Sequence, residues 1–353
     1  MELRSALVGL LCFLTSAEAV ILYRTGDPNE NRTAPSGDLA NSGWQYEGQW
    51  GGFLGTPIAP FFFISAQHIG HQGDLVYNGT TYHVVAEFND PESDLKILQV
   101  AQPFSTFAPL YSRSDEAGKR IAEFGRGTQR GTPVTLNSVE QGWNWGAGDG
   151  AMRWGENIVS GIYPIGENND LLFANFDANG LPNECHLSVG DSGGAAFIND
   201  NGTWKLAGIN YTVDGPFYTD AAGNGAFNAA LFDMRGFYQF DGTNFVQITG
   251  ATPQPSALYP TRISKRLLWI ARVIATPAVT HSGNLLSLTY TKFDLPPSDL
   301  AYTIEQSTDL ISWTMATTTD EIVSSIGSVQ TVKSTVNGGN ANRLFLRLRL
   351  TRP

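Results

Sequence analysis

The chain has 353 residues and a formal net charge of −11 at pH 7. This charge disfavours a nucleic-acid partner, because phosphate binding needs a basic surface. The length exceeds that of one ordinary domain, and a hydrophobic fraction of 42% can form a sizeable core. The 38 glycines lie between short aromatic and β-branched runs, which indicates a largely β protein.

The first 19 residues have the pattern of a secretory signal peptide. Arg4 precedes an apolar run at 6–14, and the small residues Ala17 and Ala19 suit cleavage after Ala19. The run is too short to span a bilayer comfortably, and no later segment is long and apolar enough to do so. We therefore expect a chain that is secreted, or lies at the cell surface or in the periplasm. After removal of the leader Cys185 would be the remaining cysteine, so no internal disulfide is expected.

Short runs of β-forming residues follow one another through residues 20–247. The pair Asn78-Gly79 separates two alternating runs and predicts a tight hairpin turn. Strands this short and closely spaced predict antiparallel barrels or sandwiches. Further strands are predicted at 94–100, 119–125, 132–143, 156–163, 170–177, 194–200, 203–213 and 225–232.

The last part of the chain has a different composition. Residues 248–262 carry three prolines and several small residues, which favours a linker. Residues 263–353 contain several alternating stretches and have the size of a small β-sandwich. We find no transmembrane segment, internal repeat or metal-ligand pattern, and no cofactor is expected.

The sequence Gly-Asp-Ser-Gly-Gly at 190–194 places one serine in a turn built from glycines. A serine hydroxyl attacks a carbonyl group only with a base within hydrogen-bonding reach and donors for the developing oxyanion. Gly190, Gly193 and Gly194 allow the backbone to turn tightly. In such a turn the N–H groups of Gly190 and Ser192 can converge on one point.

A base for Ser192 can be sought among the five histidines. His68 is the strongest candidate, because it follows the apolar run 60–66 and a buried strand would hold it rigidly. An orienting carboxylate is offered by Asp90, Glu92 or Asp94, and Asp94 alone directly precedes an apolar strand. The other four histidines are weaker candidates. They lie in a glycine-flanked loop (His71), in the predicted hairpin (His83), six residues before Ser192 (His186) and in the C-terminal module (His281).

These segments resemble the trypsin/chymotrypsin-like serine peptidases, in the secreted bacterial type. GDSGG matches the serine motif, ISAQHIG at 64–70 resembles LTAAHC, and SDLKILQV at 93–100 resembles DIALLKL. WKLAGINYTVDG at 204–215 resembles WVLVGIVSWG, and GAFNAALFDMRGFY at 225–238 resembles GVYTRVSAYVDWI. The chain departs from the family at Gln67, where alanine is usual, and at Tyr211, where serine is common.

The resemblance implies two antiparallel six-stranded β-barrels, at roughly 20–110 and 111–247, with the active site between them. It implies a serine endopeptidase acting on protein or peptide substrates through an acyl-enzyme. His68, Asp94 and Ser192 would be the catalytic triad. The N–H groups of Gly190 and Ser192 would form the oxyanion hole, and Asp191 would hold the serine loop by pairing with a chain N-terminus.

The resemblance also implies a specificity pocket. His186 would lie at its base, and Val213 and Gly225 would form its walls. A histidine at the base favours a small, medium or acidic side chain before the cleaved bond, and disfavours Lys and Arg.

Two other functions remain open. The same fold could be a catalytically weak or inactive module that binds a protein or carbohydrate, as the aromatic segment 142–155 suggests. Alternatively, the function could lie in residues 263–353, which resemble the small β modules that end many exported bacterial proteins. A spacer or stabilising role is the simplest interpretation of that module.

Overall fold

The computed structural model describes residues 20–167, 169–294, 300–339 and 343–352. The predicted signal peptide, residues 1–19, lies outside the described residues. Within them, no helix has the length and apolar character that a membrane span requires.

The first part of the chain forms a seven-stranded antiparallel sheet in the order β6-β5-β2-β3-β4-β8-β7. The central strands β3, β4 and β8 are almost entirely buried, which explains their continuous apolar sequence. Two short 3₁₀ helices, Gly37–Leu39 and Trp44–Tyr46, precede this sheet. The strands are β1 Ile21–Leu22, β2 Gly48–Trp50, β3 Phe53–Ala59, β4 Phe62–Ala66, β5 Leu75–Tyr77, β6 Thr80–Tyr82, β7 Val84–Asn89 and β8 Leu95–Val100.

A second seven-stranded sheet has the order β12-β9-β16-β17-β21-β14-β13. Beside it lie a three-stranded sheet, β10-β11-β18, and the hairpin β19-β20, while β1 pairs with β15. The strands are β9 Arg120–Gly125, β10 Arg130–Leu136, β11 Val139–Trp145, β12 Arg153–Ile158, β13 Gly161–Pro164, β14 Asp170–Asn175, β15 Cys185–His186, β16 Ala195–Asp200, β17 Thr203–Val213, β18 Ala229–Leu231, β19 Tyr238–Phe240, β20 Phe245–Gln247 and β21 Ala257–Arg262.

The segment 248–262 is not a linker along its whole length. Its last six residues form β21, which pairs with both β14 and β17 inside the second sheet. Pro260 fits there because the pairing with β17 shifts register between Asn210 and Thr212, and such bulges tolerate proline.

A helix, α1 Ile263–Ile274, follows β21 directly. Its buried residues Ile263, Leu267, Ile270 and Ile274 recur at helical spacing. They belong to one buried apolar cluster that also contains Phe62 of the first sheet and other residues of both large sheets. The start predicted for the C-terminal module, residue 263, therefore falls on a helix that packs into the main core.

The C-terminal module contains two sheets, β22-β23-β27-β26 and β25-β24-β28. Apolar residues of both sheets, among them Leu288, Ile304 and Val332, form one buried cluster. Phe293, Val329 and Leu350 extend from the module into the core around α1. The strands are β22 Ala278–Ser282, β23 Leu285–Phe293, β24 Ala301–Ser307, β25 Thr314–Met315, β26 Thr319–Ile326, β27 Val329–Asn337 and β28 Phe345–Thr351.

The all-β, antiparallel prediction is confirmed. Each of the two large sheets has seven strands rather than six.

Candidate active site

His68 and Asp94 meet because two strands pair in a fixed register. Strand β4 pairs antiparallel with β8, and Ala66 lies opposite Leu95. The residues that follow β4 and precede β8 therefore lie at the same edge of the sheet. There the Nδ1 atom of His68 lies 2.7 Å from Oδ2 of Asp94, and the backbone N–H of His68 donates to Oδ1 at 2.9 Å. Asp94 thus fixes both the backbone and the ring of His68.

Ser192 reaches His68 from the second sheet. It lies in the loop between β15 and β16, and its Oγ is 2.8 Å from Nε2 of His68. The His68 side chain is 39% exposed, whereas that of Asp94 is 11% exposed. The structure therefore brings the three predicted catalytic side chains into one hydrogen-bonded chain, with the carboxylate sheltered and the ring at the surface.

The other acids proposed to orient His68 are engaged elsewhere. Asp90 is buried and forms an ion pair with Arg266 of α1 at 2.7 Å. Glu92 also pairs with Arg266, at 2.8 Å. The acidic segment before β8 is thus divided, with Asp94 facing His68 and the other two acids facing the helix.

The remaining histidines have other partners or lie far away in the fold. His71 pairs with Glu87, and His83 lies 2.6 Å from Asp74. His281 lies on the exposed strand β22 of the C-terminal module.

The glycine loop before β16 needs glycine at specific positions. Gly190 has φ +95° and Gly193 has φ +78°, both in the region that favours glycine. A Cβ atom on Gly193 would lie 2.3 Å from Oγ of Ser65 and 2.9 Å from the carbonyl oxygen of Leu54. In the described part of the chain, no acceptor is recorded for the N–H groups of Gly190 and Ser192, so both donors remain available.

The side chain of Asp191 anchors the glycine loop through hydrogen bonds. It is buried and accepts hydrogen bonds from the N–H groups of Gly127 (2.7 Å), Ser188 (2.8 Å) and Val20 (3.2 Å). The Ser188 hydroxyl donates to it at 3.0 Å. Burial raises the pKa of Asp191 to about 6, although these hydrogen bonds act in the opposite direction.

A cavity of about 190 Å³ opens beside Ser192. Of the three residues predicted to form the specificity pocket, Val213 lines it. Tyr211 also lines it, and its ring centroid lies 5.7 Å from that of His68. The other lining residues are Trp145, Leu187, Ser188, Val189, Asp191, Ser192, Asn210 and Thr212.

The prediction that His186 forms the base of this cavity needs correction. His186 is fully buried on β15, with Nδ1 2.7 Å from the carbonyl oxygen of Leu187 and Nε2 3.2 Å from Oγ of Ser256. Burial lowers its pKa to about 4, so the imidazole is neutral at neutral pH. His186 is not among the described residues that line the cavity, and it does not offer a charge to it.

The prediction that Gly225 forms a wall is also wrong. Gly225 lies in the turn after Tyr218, where a Cβ atom would meet the Thr219 side chain. The resemblance of 225–238 to a family segment predicted Gly225 at the pocket, whereas the structure places it before the short strand β18. Trp145, at the end of β11, is a wall residue that the sequence did not identify, although its aromatic segment stood out.

The described residues contain no group of three or more His, Cys, Asp or Glu side chains arranged to hold a metal ion. The site is built from a serine, an imidazole, a carboxylate and backbone N–H groups. These groups can transfer a proton and stabilise an oxyanion.

Comparisons with known proteins give distant structural likenesses. No protein-family model and no curated protein matches the chain. An inactive mutant form of Rv3671c from M. tuberculosis aligns with a TM-score of 0.38 and 13% identity, over 70% of this chain and 98% of that one. The active form of that protease aligns with a TM-score of 0.32 and 16% identity, over 50% and 68%. The HtrA-type protease AlgW with a decapeptide has a TM-score of 0.34 and 13% identity, over 67% and 56%.

Proposed function

We propose that the chain is an exported serine endopeptidase that hydrolyses peptide bonds in proteins or peptides through an acyl-enzyme. The observation that carries this proposal is the position of His68, with Ser192 Oγ at 2.8 Å from one ring nitrogen and Asp94 Oδ2 at 2.7 Å from the other. The resemblance of three sequence motifs to the serine peptidases supports it independently.

In this proposal His68 Nε2 takes the proton of Ser192 as Oγ attacks the scissile carbonyl carbon. Asp94 accepts from Nδ1–H, which keeps Nε2 free to act as the base and stabilises the imidazolium that forms. The same imidazolium then protonates the leaving amine, and the acyl group stays on Ser192. A water molecule, deprotonated by His68, releases the acyl group and restores the serine.

The glycine loop would stabilise the tetrahedral intermediates. The free N–H groups of Gly190 and Ser192 are the donors that the oxyanion needs. Asp191 keeps the loop in place through hydrogen bonds to Gly127, Ser188 and Val20. Its role is to position the loop, because its carboxyl group is buried beneath the reacting atoms.

The cavity beside Ser192 favours an uncharged, small to medium side chain before the cleaved bond. Val213, Leu187 and Trp145 give it apolar walls, and the carboxyl group of Asp191 is occupied by four hydrogen bonds. Among the described residues, neither a free carboxylate for Lys or Arg nor a cation for Asp or Glu lines the cavity. The acidic preference considered from the sequence loses its basis, because His186 is buried and neutral.

Labelling with a fluorophosphonate tests the proposal. This probe reacts with a serine whose hydroxyl is activated by a base, and an ordinary serine does not react. We expect mass spectrometry to find one adduct, on Ser192, in a chain spanning 20–353. Ser192→Ala and His68→Ala should both abolish it, whereas the exposed histidine variant His281→Ala should not. Absence of the adduct in the folded native chain would favour the inactive binding module.

A further inference from the structure

A carboxyl group is buried behind the serine loop, and neither of its oxygens has a hydrogen bond of ordinary length to the described residues. Glu123, on β9, is fully buried, and the structure records no partner within the described residues for either Oε1 or Oε2. A buried carboxylate in this situation is very unfavourable, since charges in the protein interior need compensation. Glu123 is therefore a group whose protonation state matters for the surrounding fold.

Asn210, on β17, lies beside this carboxyl group. Its backbone holds the serine loop through two hydrogen bonds. The Gly193 N–H donates to the Asn210 carbonyl at 3.0 Å, and the Asn210 N–H donates to the Gly194 carbonyl at 2.8 Å. Its Nδ2 donates to the carbonyl oxygen of Phe124 at 2.9 Å. Its Oδ1 is buried and has no recorded donor in the part of the chain that the structure describes.

The titratable groups around Glu123 are all acidic. Asp191 faces it from the serine loop, Glu47 from the segment before β2, and Cys185 from β15. Glu47 is also buried and is bound by the Thr56 hydroxyl at 3.0 Å. No cation from the described elements contributes to the environment of Glu123. Ionised Glu123 would therefore face repulsion as well as desolvation.

We propose that Glu123 is a neutral positioning residue, whose protonated carboxyl group donates to Oδ1 of Asn210 and so holds the glycine loop around Ser192. Protonation removes the buried charge and supplies the donor that Asn210 lacks. This inference rests on the proposed function for its effect on catalysis, but the protonation of Glu123 itself does not depend on that function.

The proposal predicts a loss of activity at alkaline pH. Burial, and secondarily the charge of Asp191, raise the pKa of Glu123 to about 8, although the Asn210 amide beside it acts in the opposite direction. Above that pH the carboxyl group ionises, loses its donated hydrogen bond and repels Asp191 beneath the loop. The value of kcat/KM should then fall about tenfold per pH unit, as expected when one essential protonated group is lost.

Glu123→Gln provides the test, because its amide is neutral at every pH and has nearly the same shape. We expect it to keep kcat/KM within about twofold of the native value at neutral pH and to lose the alkaline decline. Glu47→Gln is the matched control, since Glu47 is also buried and its pKa is also raised to about 8. That variant should keep the native alkaline decline. An unchanged decline in Glu123→Gln, or its loss only in Glu47→Gln, overturns the proposal.

Infrared spectroscopy separates this inference from the proposed function. The infrared spectrum of the native chain minus that of the Glu123→Gln variant should show the carbonyl band of a protonated carboxyl group at neutral pH. This band should disappear above a pH of about 8. A carboxylate band at neutral pH would overturn the proposal. If no substrate is cleaved at any pH, the proposed function fails, and the infrared difference still decides the state of Glu123.

Discussion

One additional residue before Val20 is expected to impair both stability and activity. Val20 N–H lies 3.2 Å from Asp191 Oδ1 in a buried position, and β1 ties the following residues to β15. In a chain that starts at Val20 this nitrogen would be an ammonium group, and we expect it to form a buried ion pair with Asp191. In a chain that is one residue longer it is an uncharged peptide nitrogen, and the ammonium group has no place beside Asp191.

The size of the effect follows from the pKa of Asp191. With a peptide nitrogen at Val20, burial raises it from 3.8 to about 6, which corresponds to ~3 kcal/mol against the charged form. Because the folded-state pKa lies above the unfolded value, the protonated group's contribution to stability is complete below a pH of about 4. It is lost as the pH rises through about 6. The ammonium group of a chain starting at Val20 should lower this pKa and prevent the loss.

Urea unfolding of the two chains, prepared with defined N-termini, measures the difference. At a pH of about 7.5 the free energy of unfolding of the longer chain should be ~3 kcal/mol lower than that of the chain starting at Val20. This difference should vanish at a pH of about 4. Its kcat/KM should fall roughly 10²-fold, if the same free energy governs the population of the ordered loop. Asp191→Asn should abolish the advantage of the chain that starts at Val20, because its ammonium group then has no carboxylate partner. If the chain that starts at Val20 and the chain that is one residue longer, both with Asp191, were equally stable and active at neutral pH, the reasoning would be refuted.

Three further results are expected. Leu267→Ala should lower the free energy of unfolding by about 2–5 kcal/mol, because Leu267 is fully buried where α1 meets the main core; a loss below ~1 kcal/mol in urea unfolding would contradict that packing. His186→Gln should leave the cleavage profile of a peptide library unchanged, whereas loss of a preference for Asp or Glu in this variant would show that His186 reads the substrate. A thiol reductant should not change the melting temperature, because the described chain holds one buried free cysteine, Cys185; a marked drop would indicate an intermolecular disulfide.

The sequence was most informative where a candidate catalytic side chain directly adjoins a buried strand. His68 and Asp94 flank β4 and β8, whose apolar runs are easily recognised and whose pairing brings the two side chains together. Ser192 was identified from its glycines, which the turn requires. Local sequence was sufficient at these positions, because each is determined by the element beside it.

The specificity pocket could not be predicted in the same way, because its walls depend on which distant strands pair. The prolines before β21 favoured a linker, whereas the bulge opposite Pro260 lets this segment join the second sheet. The position of Gly225 likewise depends on a pairing that the sequence does not reveal, because Phe217 and Phe227 pair on either side of the turn that contains it. The burial of Glu123 could not be predicted either, since a lone glutamate in a strand is normally exposed and its burial here arises from tertiary packing.

Turnover of a protein substrate tests the central claim most directly. The chain spanning 20–353 should cleave unfolded casein and release new N-termini, with a kcat/KM that is measurable at neutral pH. Ser192→Ala should fold with an unchanged melting temperature and lose about 10³–10⁶-fold in kcat. Equal turnover by Ser192→Ala and the native chain would contradict the assignment of Ser192 as the nucleophile and, with it, the proposed function.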